Sequence, residues 1–127
     1  MNLIFVSIFI VVTIFIFGIS KAICDVSECC FNNSKLAKLN PLFWNKHKSW
    51  VNKWKGGNPT NGEKFFGSST FLVWITDAWH LFNMLSYLSL FIAGYLTAIY
   101  LDKWYLVIIP FPFGLIIFEL IYKYLKN

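Results

Sequence analysis

The chain has 127 residues, of which 57% are hydrophobic and only 13% charged, against about a quarter charged in soluble domains. Its net charge of +5 comes from lysine alone, because the sequence contains no Arg. This composition argues against a soluble domain, and lysine without the bidentate fork of Arg argues against a dedicated nucleic-acid reader.

Three apolar stretches set the expected fold class: an all-α membrane protein with three transmembrane helices plus an amphipathic interfacial helix. Leu3 to Gly18 is broken only by Ser7 and Thr13, Phe65 to Leu101 has Asp77 as its one formal charge, and Trp104 to Tyr122 has only Glu119. Each is long enough to supply a span of about 20 residues. Gly18 and Ser20 stand at workable signal-cleavage spacing, but no basic residue precedes the apolar run. Residues 1–23 are therefore expected to stay as an uncleaved first transmembrane helix. No lysine precedes that run, eight lie between Lys21 and Lys64, one is Lys103, and Lys123 and Lys126 close the chain. By the positive-inside rule this predicts a multi-pass inner-membrane protein, N-terminus outside, with residues 24–70 and the C-terminus in the cytoplasm.

Cys24, Cys29 and Cys30 follow the first span. Their spacing matches no zinc pattern, adjacent cysteines make an awkward disulfide pair, and an odd number suits reduced thiols. Asn40-Pro41 then signals a helix start and Gly56-Gly57-Asn58-Pro59 a stop, which predicts a helix over 41–55. On a helical wheel Phe43, Trp44, His47, Trp50, Val51 and Trp54 fall within an arc of about 120°, opposite Lys46, Lys48, Lys53 and Lys55. A Trp face against a Lys face is the pattern of a helix lying in the membrane interface, rings among headgroups and ammonium groups toward anionic lipid. The same helix could instead cover the ends of the chain's own spans or dock a protein partner. Nucleic-acid binding is the weakest of these readings.

From Thr70 to Leu101 no proline intervenes, so the second span is expected as one long helix over 71–101, of about 48 Å. Trp74 and Trp79 mark one aromatic belt and Tyr100, Trp104 and Tyr105 the other, which puts Asp77 and His80 at the boundary of the apolar layer. Asp77, His80, Met84 and Tyr87 share a helix face, and a stripe this polar is expected to turn toward protein. The third span, 104–123, carries Pro110 and Pro112, which are expected to kink it. Glu119 falls at a depth near residues 84–86, although Lys123 four residues on is an alternative partner. If Glu119 and His47 came to meet Asp77 and His80, two imidazoles and two carboxylates would suit Zn, Fe or Mn, and bound water would become a nucleophile. Otherwise Asp77 and His80 form a polar lock or a proton relay, and no cofactor is called for.

The segments NPLFWNKHKSWVNKWK and EKFFGSSTFLVWITDAWHLF together resemble a group of small, uncharacterised bacterial membrane proteins, over roughly residues 40–85. The resemblance rests on Ser-Trp-x-Asn-Lys-Trp-Lys and Thr-Asp-Ala-Trp-His. It implies a bacterial membrane setting and carries no catalytic role for any residue. The expected function is that of an accessory or interaction subunit, its partners being a bilayer with anionic headgroups and a membrane protein or a second copy of the chain. The alternative is a membrane-embedded metal-dependent enzyme or ion-handling protein that uses Asp77, His80 and Glu119.

Overall fold

The computed structural model describes residues 3–127. Helix α1 spans Leu3–Cys29, the four-residue helices α2 (Pro41–Trp44) and α3 (Lys46–Ser49) follow among 3₁₀ turns, and α4 (Ala78–Tyr100) and α5 (Pro110–Lys126) complete the order. There is no strand among the described residues. α1, α4 and the stretch Trp104–Lys126 are each long and apolar enough to cross a membrane.

α1 is the spine of the bundle. It packs along both α4 and α5, whereas those two barely touch. With lipid as apolar as any core, close packing has to come from small residues, and the buried face of α4 supplies them at helical spacing: Ser86, Ser89, Ala93 and Thr97. Their hydroxyls are satisfied inside the helix, Ser86 on the Asn83 carbonyl at 2.8 Å and Thr97 on the Ala93 carbonyl at 2.7 Å. Nothing polar is thereby left facing the neighbour. α1 and α5 approach most closely where two glycines meet. A Cβ on Gly114 would lie 2.1 Å from the Phe17 ring, and one on Gly18 would lie 2.6 Å from Ile117 Cβ.

The second span begins later than the sequence suggests. Asp77 is extended, with φ −157° and ψ 162°, and serves as the N-cap of α4, so residues 71–77 lie in turns outside that helix. A carboxylate at that point satisfies main-chain donors that would otherwise be orphaned, and it stops the helix from running back to Phe71. In the third span the prolines fall in the first turn of the α-helix. Pro110 is the first residue of α5, where its missing N–H costs nothing, and a 3₁₀ stretch, Trp104–Ile108, leads into it.

The predicted amphipathic helix over 41–55 is not formed as one piece. Asn45, buried, is extended at φ −93° and ψ 111°, and its side chain accepts from the His47 N–H at 2.9 Å. Asn40 does the same for Leu42 at 2.9 Å, and Asn58 for Thr60 at 3.0 Å. Each asparagine ends one short element by capping the next, so the Trp and Lys residues do not separate onto opposite faces. Cys29 and Cys30 also differ from the free thiols expected, because they form a vicinal disulfide, while Cys24 is free and buried.

Residues 53–70 close into a small loop. Lys55 N–H donates to the Gly62 carbonyl at 3.0 Å and Lys64 N–H to the Lys53 carbonyl at 2.9 Å. The Glu63 carboxylate accepts from the main-chain N–H of Gly67 at 3.0 Å and of Ser69 at 3.1 Å, and from the Ser69 hydroxyl. That hydroxyl first, then the two amides, holds Glu63 below the usual carboxylate range.

Two outcomes follow from this packing. Gly114→Ala is expected to cost about 1–3 kcal/mol, because the methyl group forces the α1 and α5 backbones apart; thermal unfolding in detergent checks it. The Glu63 bonds, favoured by a depressed pKa, are fully present above the ordinary carboxylate range and are lost as pH falls through the lowered value. The protection factors of the Gly67 and Ser69 amides against exchange should fall on acidification, and in Glu63→Gln the pH dependence of those factors should vanish.

Candidate functional site: the junction of α1, α4 and the lysine-rich segment

Helices α1 and α4 are antiparallel, so the C-terminal end of one lies beside the N-terminal end of the other. Cys24 Sγ donates to the Trp79 carbonyl at 3.3 Å, and Tyr122 of α5 brings its hydroxyl within 3.4 Å of Cys29 Sγ. This is the lysine-rich end, and only Asp102 and Lys103 place charge in the turn at the other.

Glu28 is the knot of this end. Its carboxylate accepts from Lys46 Nζ at 2.5 Å and from the Trp79 indole N–H at 3.1 Å. Its main-chain carbonyl, in the last turn of α1, accepts from His47 Nε2 at 2.8 Å. Lys46 lies over the Trp79 ring, 3.9 Å from its centroid. An acidic side chain at a helix C-terminus is unfavourable on its own, so the Lys46 ammonium and the His47 N–H offset both the charge and an unpaired carbonyl. Sequence reasoning missed Glu28. The available signal was that Asp25 and Glu28 are the only carboxylates before Glu63 in a lysine-rich region.

The second feature is the Asp77–His80 pair. Asp77 is 1% exposed. One carboxylate oxygen accepts the His80 main-chain N–H at 2.9 Å and the other accepts from His80 Nδ1 at 2.7 Å, with Thr76 Oγ1 at 3.3 Å from the latter. An ionised carboxylate can only accept, so Nδ1 carries the proton and Nε2 is the open position of the ring. The imidazole also meets the Trp79 ring edge to face at 5.0 Å.

The two features share a cleft of about 380 Å³, lined by Lys46, His47, Trp50, Lys53, Asp77, Trp79 and His80. The structure therefore brings together three of the four expected site residues, His47, Asp77 and His80. Glu119 is not among them. It lies exposed on α5 and pairs with Lys123 at 2.9 Å. Among the described residues no three His, Cys, Asp or Glu side chains are grouped to hold a metal ion. His47 Nε2 is already spent on the Glu28 carbonyl. The polar stripe does not turn wholly toward protein either, since Tyr87 is 67% exposed.

The expected interface residues divide by position. Trp44 meets Phe82 of α4 at 5.6 Å with the rings tilted by 35° and packs against the buried Val26, Phe31 and Leu36, with Phe43 edge-on to it at 5.9 Å. Trp54 has its indole N–H buried without a partner. Trp50 stays exposed, as do Lys48 and Lys55, while Lys53 turns into the cleft. No family model matches the chain, and neither a curated protein nor a solved structure does. The chemistry of this end must speak through its own side chains.

Asp77→Ala is expected to cost about 2 kcal/mol or more, because it removes the cap of α4 and leaves His80 Nδ1 unpaired. Asp77→Asn, which keeps an acceptor for the main-chain N–H, should lose roughly half of that. Thermal unfolding of both variants in one detergent measures the difference.

Proposed function

We propose that this is a small polytopic inner-membrane protein that acts by binding, an accessory or interaction subunit whose lysine-rich end rests on an anionic membrane surface. The observation that carries this reading is the exposure, on the 42–75 segment, of large apolar side chains next to lysines that make no ion pair among the described residues. Phe66 is 84% exposed and Phe71 61% exposed. Their rings pack edge to face at 5.6 Å, and Lys64 precedes Phe66 by two residues. Leu42 and Trp50 add to the same set. Rings among headgroups with ammonium groups toward phosphate is how such a surface is stabilised at an interface. The surface is assembled from turns, so it needs no continuous amphipathic helix.

The lysine asymmetry supports an orientation with this end and the C-terminus in the cytoplasm and the N-terminus outside. A membrane-protein partner or a second copy would meet the exposed apolar flanks of α4 and α5 within the bilayer. A second reading, a proton-handling protein or enzyme, has the buried Asp77–His80 hydrogen bond in its favour. It would proceed without Glu119.

The test is stability in lipid nanodiscs of neutral lipid with and without phosphatidylglycerol. The anionic lipid should stabilise the wild-type chain, and Lys48→Gln, Lys55→Gln and Lys64→Gln together should remove that gain, at about 1 kcal/mol per lysine. Equal stability in both lipids would sink the surface reading.

A further inference from the structure

We propose that the cleft between α3 and the head of α4 is a binding site for a phosphate monoester, with Lys53 supplying charge and His80 Nε2 sharing the ligand's proton. The source of the ligand rests on the anionic-surface reading above, while the chemistry of the site does not.

The charge inventory of the cleft points to an anion. Asp77 is fully committed to His80 and to the main chain of α4. Lys46 is held by Glu28. Lys53 faces the cleft with no carboxylate partner among the described residues, its ammonium 5.6 Å from the Trp54 ring centroid. An unpaired ammonium in a partly enclosed, ring-lined space is the strongest attraction the cleft offers, and no negative side chain there is free to meet it.

The imidazole then decides which anion. Asp77 pins the proton on Nδ1, so a neutral His80 offers Nε2 as an acceptor and a protonated His80 offers it as a donor. Ionised carboxylates, sulfate and phosphodiesters are acceptors only, and against neutral His80 they would set one lone pair against another. A phosphate monoester, with its second ionisation near pH 6, exists on either side of neutrality as P–OH or P–O⁻. The monoanion donates its P–OH to neutral Nε2, and the dianion accepts from protonated Nε2. These two states hold the same total number of protons, and each makes one hydrogen bond. His47 cannot compete for this role, because its Nε2 is used on the Glu28 carbonyl. The space is sufficient: about 380 Å³ holds a phosphate group with several waters. Trp50 and Trp79 wall it with rings, as suits the edge of an apolar layer.

Two sources present this chemistry: a phosphatidic-acid-type headgroup at the membrane surface, or a soluble phosphate. The experiment uses the full chain. Inorganic phosphate, with sulfate as control, is titrated in detergent while thermal stability and binding heat are followed. Nanodiscs containing phosphatidic acid are then compared with nanodiscs containing phosphatidylglycerol. The expected result is binding of inorganic phosphate, of phosphatidic acid, or of both, with sulfate and phosphatidylglycerol ineffective at the cleft. His80→Ala and Lys53→Gln should each weaken binding by about tenfold or more. His80→Ala keeps the main-chain cap bond to Asp77. If it still fails to accumulate, Lys53→Gln decides alone, since that ammonium makes no hydrogen bond or ion pair among the described residues.

Phosphate binding without a phosphatidic-acid effect keeps the site and assigns it a soluble ligand. A phosphatidic-acid effect alone keeps the site and assigns it a lipid. No response to either probe, a response matched by sulfate or phosphatidylglycerol, or one unchanged in Lys53→Gln overturns the proposal. These outcomes are separate from the stabilisation governed by Lys48, Lys55 and Lys64, which fails or survives on its own.

Discussion

A helix that leaves an apolar layer must find partners for the main-chain groups in its last turn, and this protein is organised around that requirement at one end. At the end of α1 the orphan carbonyl of Glu28 is met by His47, and the acidic side chain beside it by Lys46 and Trp79. At the start of α4 the orphan donors are met by Asp77. Because the two helices are antiparallel, these ends lie side by side. The chain between them is therefore anchored twice within a short distance.

An exposed ion pair such as Glu28–Lys46 contributes little alone. Its effect here comes from geometry, because the same lysine covers the Trp79 ring and the neighbouring histidine closes the helix. Trp79 in turn sets its ring edge against His80, whose orientation Asp77 fixes. The cleft thus lies where the two helix ends are held: Asp77 begins α4, and Lys46 and His47 bind Glu28 at the end of α1. Among the described residues the Lys53 ammonium at this cleft makes no ion pair.

Within the apolar layer a different economy holds. α4 buries alanine, glycine, serine and threonine, while its large side chains such as Phe91 and Leu88 point outward. That division suits a small bundle in lipid, where packing rather than water exclusion binds helix to helix.

The three apolar stretches, the lysine asymmetry and the Trp belts were legible in the sequence, because length and hydropathy alone decide whether a helix can cross a bilayer. Asp77 and His80 were legible as neighbours three residues apart, and the structure joins them by a hydrogen bond. Where each helix began was not, since the asparagines at 40, 45 and 58 and the aspartate at 77 act through local capping bonds that a periodicity pattern does not register. A wheel drawn over 41–55 assumes a continuous helix, and one extended residue, Asn45, cancels it. Glu28, Lys53 and the exclusion of Glu119 were decided by tertiary structure alone. Which side chains share a cleft depends on the rotation of antiparallel helices and the fold of the segment between them, and one-dimensional spacing holds neither.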